Sequence, residues 1–234
     1  MTAIELNKAQ KDIHEEILKC AIDNNLVRDD IKPMYDGVCD VGKYCESLPR
    51  TMWVLKEFSD EISNGLPSGG GYCVYDCFNK DNAWKVRSWQ RMIYTSYGIV
   101  NHKRWNEMDK IRNNKPMVDV LNQIAYINIS KMPGFIKSDD NNIRRCYSIW
   151  RTILLKQIKV YNPNIIILGN TFKFIRSDPG FNEIMPGITN EPIIKKGGYL
   201  DVYQSNEVLL FDAYHPSVWK NECIESIIDI CLGY

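Results

Sequence analysis

Four short runs of this chain are apolar on both faces: Thr51-Met-Trp-Val-Leu-Lys-Glu-Phe58, Ile124-Ala-Tyr-Ile-Asn-Ile129, Asn164-Ile-Ile-Ile-Leu-Gly169 and Val208-Leu-Leu-Phe211. A strand with one side in water alternates apolar and polar residues; these do not, so each is expected inside a sheet covered on both sides. Helical stripes separate them: Ala9, Ile13, Ile17, Cys20 and Ala21, then Trp84 to Tyr97, then Ile143, Cys146, Tyr147, Trp150, Ile153, Leu154 and Ile158. Alternating strands and helices predict an α/β chain, a three-layer α/β/α sandwich around a central, mainly parallel four-stranded sheet with right-handed crossovers. Tyr199 to Tyr203 and Val208 to Phe211 are expected to pair as a hairpin, and Trp219 to Leu232 to form the last helix.

The chain of 234 residues reads as one domain, 1–234, with 1–49 a helical N-terminal extension packed on it. Acidic and basic residues balance at 29 each, so any contact with nucleic acid has to come from a local patch. The first residues lack the charged start and apolar middle of a signal peptide and no later run spans a bilayer, which predicts a cytoplasmic protein without a membrane partner. In a reducing compartment the eight cysteines are expected as thiols. Their spacings, Cys39-x5-Cys45 and Cys73-x3-Cys77, miss the usual zinc and iron–sulfur patterns, so no metal or cofactor is expected.

In a parallel sheet three of the strands end at one edge, delivering Glu57, Asn128 and His215. A carboxylate can hold a water or stabilise a cationic sugar, and an imidazole can donate to an oxygen that becomes negative. An amide carries donor and acceptor side by side and can read a base edge. Together these are the needs of cleaving the bond between a base and its sugar. The base must leave the stack first, so aromatic neighbours such as Phe58, Tyr72 and Tyr214 are base-binding candidates. Gly69-Gly70-Gly71, after Ser68, could let backbone N–H groups approach a phosphate.

These segments resemble the uracil-DNA glycosylase superfamily over roughly residues 50 to 232. Tyr126-Ile-Asn-Ile-Ser-Lys-Met-Pro-Gly134 is similar to its base-reading segment, Asn162-Pro-Asn-Ile-Ile-Ile-Leu-Gly169 to its next core strand, and Ala213-Tyr-His-Pro-Ser217 to its last motif. The first motif departs from the family pattern: Lys56-Glu57-Phe58 has neither neighbouring Gly nor Pro, and by position Glu57 inherits the water-activating role, with Asp60 and Glu61 as substitutes. The resemblance implies a monomeric, monofunctional DNA glycosylase that excises uracil or a modified pyrimidine, in repair or in attack on modified foreign (phage) DNA. It also implies that Val218 and Trp219 wedge the helix open and that Ser68, Gly69, Gly70, Lys131, Ser217, Arg87 and Arg91 touch phosphates. Two other readings stand beside it: a non-catalytic nucleic-acid or nucleotide-binding protein on the same fold, and a hydrolase of free nucleosides or nucleotides.

Overall fold

The computed structural model describes residues 1–233. Its strands are β1 (Gly37–Val38), β2 (Thr51–Leu55), β3 (Glu61–Ser63), β4 (Leu66–Ser68), β5 (Ala125–Asn128), β6 (Ile165–Gly169), β7 (Ile194–Lys196), β8 (Leu200–Ser205) and β9 (Val208–Ala213). Seven of them form one mixed sheet in the order β1-β5-β2-β6-β9-β8-β7, and β3 and β4 make a separate hairpin. The helices are α1 (Ala3–Asp23), α2 (Val41–Glu46), α3 (Arg87–Val100), α4 (Asp140–Tyr161), α5 (Phe172–Ile175), α6 (Pro179–Ile184) and α7 (Asn221–Gly233).

The four apolar runs are the parallel heart, β5-β2-β6-β9, as their two-sided apolarity requires. Alternate residues feed opposite cores. Trp53, Leu55, Tyr126, Ile167 and Phe211 meet α3 and α7 on one side, while Met52, Val54, Ile127, Ile166 and Leu210 meet α2, α4, α5 and α6 on the other. Each fully buried Ile or Phe here contributes on the order of 2 kcal/mol. Trp53 can be wholly buried because its indole N–H donates to Ser96 Oγ at 3.1 Å.

The sheet is larger than the four strands expected. The β8–β9 hairpin closes through Asn206, whose φ of +50° suits a tight turn, and β7 adds antiparallel outside it. β7 is three residues long and mostly exposed, so it carries no apolar signal to be read in advance. Nor is the 1–49 segment only a helical extension. It supplies β1, antiparallel to β5, while Ile13, Ile17 and Ala21 of α1 pack on Trp150 and Ile153 of α4. The last helix starts at Asn221, after a 3-10 turn at Pro216–Val218. Among the described residues no helix is long and apolar enough to cross a membrane.

Candidate functional site

β2 and β9 end beside a cleft of about 500 Å³ whose walls include Glu57, Phe58, Trp89, Tyr126, Phe135 and His215. Glu57 and His215 thus share one cavity, as expected of strands that run parallel to a common edge. A larger hollow, about 670 Å³, lies between α1 and α2 and holds the Cys39 thiol. Burial pushes that thiol up, away from the reactive thiolate, and no imidazole or buried carboxylate accompanies it, whereas the smaller cleft holds both a carboxyl and an imidazole.

His215 sits where β9 gives way to the 3-10 turn. Its Nδ1 accepts from the Ser217 backbone N–H at 3.3 Å and stands 2.8 Å from Ser217 Oγ. A backbone N–H can only donate, so the neutral ring carries its proton on Nε2. Burial, followed by the nearby Lys56 charge, draws the imidazole down to about 4, which keeps it neutral at physiological pH. A stability consequence follows. As pH falls below 6.5 the unfolded chain takes up a proton at this histidine before the folded chain does, so stability is lost between 6.5 and about 4 and the loss is complete below that. In His215→Asn, denaturation midpoints should fall less steeply across that window than in wild type; parallel curves would mean that the ring is not buried as described.

Burial also acts on Glu57, pushing its carboxyl above the ordinary value, while hydrogen bonding to Ser138 and the Lys56 charge pull it part of the way back. Its Oε1 is buried without a hydrogen-bond partner. Gly134 backs it closely: a Cβ there would come within 2.3 Å of the Glu57 carboxyl carbon, so any other residue would displace the carboxylate from this position. The Gly134 N–H donates to Phe58 O at 2.8 Å, tying the loop after β5 to the end of β2. Of the two substitutes, Asp60 accepts from Tyr72 Oη at 2.6 Å and from the Gly70 N–H at 2.8 Å, and Glu61 lies exposed on β3; neither lines the cleft.

Asn128 does not line the cleft either. It pairs in register with Leu55, two residues before Glu57, and is 1 % exposed with Oδ1 lacking any hydrogen-bond partner. A buried carbonyl left without a donor costs about 1–3 kcal/mol. Its backbone is held on both sides. The N–H donates to Asp36 Oδ2 at 2.7 Å, and the carbonyl accepts from Lys131 Nζ at 2.7 Å. Lys131 also donates to both Asp36 carboxylate oxygens at 2.8 Å and to Gln157 Oε1 at 2.7 Å.

Several expected DNA contacts are corrected by this geometry. Lys131 is wholly buried in its ion pair and reaches no phosphate. Ser68 is buried, and the glycine N–H groups are spent inside the protein: Gly69 on Asp30 O, Gly70 on Asp60 Oδ2, Gly71 on Pro33 O. Gly70, at φ +81°, packs so that a Cβ would meet Lys32 O at 2.0 Å, which makes the triplet a packed crossing rather than an open cradle. Trp219 is no wedge, because it is buried against Trp53, ring centroids 5.5 Å apart, with its N–H on Tyr214 O. Tyr72 is tied to Asp60 away from the cleft, and Tyr214, 55 % exposed, faces a neighbouring hollow. Val218 and Arg87 remain exposed, Ser217 serves His215, and Arg91 is half-buried with an unpartnered Nε.

Sequence reasoning missed Lys56 and Trp89 at the cleft, along with Phe135 to Ser138, and Asp36 behind Asn128. The loop residues follow directly on the Asn128 segment and were within reach; Asp36 lies in an irregular stretch with no pattern around it. Among the described residues no three His, Cys, Asp or Glu side chains are grouped to hold a metal ion. No protein-family model matches the chain, and no curated protein matches it significantly.

Proposed function

We propose that this chain is a monofunctional DNA glycosylase that draws a modified or damaged base out of the helix and hydrolyses its bond to the sugar. The observation that carries the reading is a partly buried carboxyl, Glu57, sharing one cleft with an imidazole, His215, held neutral with its proton on Nε2. A departing base takes on negative charge. A neutral N–H donor stabilises that charge without surrendering its proton, and the carboxylate orients water and offsets the positive sugar. Phe58, Trp89 and Tyr126 supply flat apolar walls for a ring.

The likeness of Ala213–Ser217 and Tyr126–Gly134 to uracil-DNA glycosylase motifs supports the same reading. A cleft of about 500 Å³ falls in the range that accepts drug-sized ligands, which favours an enlarged pyrimidine over uracil itself. The biological setting is then repair, or attack on modified foreign DNA. The test is a panel of duplexes bearing uracil, hypoxanthine or hypermodified pyrimidines, incubated with protein and then treated with alkali. Strand scission at one class of base is expected. A protein that retains the duplex yet leaves no alkali-labile site on any of them is a binding protein, and the glycosylase reading fails.

A further inference from the structure

Beside the cleft, three cations from three separate segments surround one aromatic ring. Lys56 Nζ lies 5.8 Å from the centroid of Phe174, the Arg144 guanidinium 5.3 Å and Lys173 Nζ 5.2 Å. Asp140 bridges two of them, accepting from Lys56 Nζ at 2.7 Å and from Lys173 Nζ. Asp139 is taken up as the N-cap of α4, accepting from the Asn142 N–H at 3.0 Å. Lys56 and Lys173 thus share one carboxylate, with Glu57 also near Lys56 and Asp212 near Lys173, while Arg144 forms no ion pair among the described residues. Arg145 and Lys137 nearby are exposed and, among the described residues, form no ion pair.

Arg144, Arg145 and Lys137 thus present three exposed cations without a carboxylate at ion-pair distance among the described residues. Such a gathering on a chain whose total charge is balanced calls for an external anion. Its place narrows the choice. Lys56 lines the cleft immediately before Glu57, while Arg144 is exposed and the Lys173 side chain is partly so, both facing solvent outside it. The forked guanidinium and two ammonium groups match the oxygens of a phosphodiester, and Lys131 and the Gly70 N–H, first expected to hold phosphate, are buried or already hydrogen-bonded.

We propose that Lys56, Arg144 and Lys173 form a phosphodiester-binding cluster that grips the DNA backbone beside the extruded nucleotide. This rests on the reading of DNA as the partner, but on no particular base. Arg144 and Lys173 act from the surface, so each can be changed without opening the core.

The experiment is fluorescence anisotropy with a short labelled duplex carrying a tetrahydrofuran abasic analogue, at several salt concentrations. It compares wild type, Arg144→Gln/Lys173→Gln, and Lys103→Gln in the opposite helical layer, with thymidine monophosphate as competitor. Each lost phosphate contact flattens the slope of log affinity against log salt by about one, so the double variant should be shallower by about two while Lys103→Gln matches wild type. An unchanged slope, or an equal change from Lys103→Gln, overturns the cluster even if wild type excises bases. A flattened slope in a protein that releases no base keeps the cluster and sinks the glycosylase reading. Absence of duplex binding together with binding of the mononucleotide overturns the cluster in favour of a nucleotide site.

Discussion

Exchanging Lys131 for methionine is expected to cost roughly 3–5 kcal/mol of stability, because it strands the Asp36 carboxylate, a wholly buried charge, without its counterion. Burial already draws the Lys131 ammonium below its ordinary value against the pull of Asp36, so its charge depends on that partner. The same change frees the Asn128 carbonyl and Gln157 Oε1, adding unpaired acceptors. Urea denaturation of the purified variant measures it. Asp36→Asn/Lys131→Met removes both charges while leaving an acceptor for the Asn128 N–H, and should recover part of the loss. A cost below about 1 kcal/mol for Lys131→Met would mean that this ion pair does not hold the end of β5.

Glu57→Gln and His215→Ala are each expected to slow base release by about 10²–10³, the usual loss when a positioned acid–base group or a charge-stabilising donor is removed. Neither should weaken binding to an abasic duplex, since neither side chain belongs to the cationic cluster. The pH dependence separates their roles. His215 stays neutral down to about 4, so the acid limb of the rate belongs to Glu57, whose carboxyl titrates above its ordinary 4.5. The wild-type rate should rise with pH as that carboxyl ionises, and Glu57→Gln should flatten the limb. Single-turnover rates across the acid range check this; an unchanged limb in Glu57→Gln would assign the base to another group.

The parallel heart was legible in the sequence because Ile165 to Leu168 and its companions are apolar on both faces, a pattern that admits few other homes. The added strands were not. Gly37–Val38 and Ile194–Lys196 are too short and, in the second case, too exposed to carry a periodic signal; tertiary pairing alone makes them strands. At the site, Glu57 and His215 could be picked because a strand end followed by a polar loop has a direction. Lys131 and the three glycines were misread for a physical reason: residue type reports what a group can bind, whereas Asp36, Asp30 and Pro33, distant in the chain, decide whether it is still free. Phe174 and its cations were equally hidden, since Lys56, Arg144 and Lys173 come together only in three dimensions.

The most direct measurement of the central claim is mass-spectrometric quantification of free base released from modified-base duplexes by wild type and by Glu57→Gln, alongside the abasic sites formed. The account predicts one intact base per abasic site with wild type, and release reduced at least about a hundredfold in the variant at equal duplex binding. Release that survives in Glu57→Gln at the wild-type rate, or cleaved strands without any free base, would contradict it.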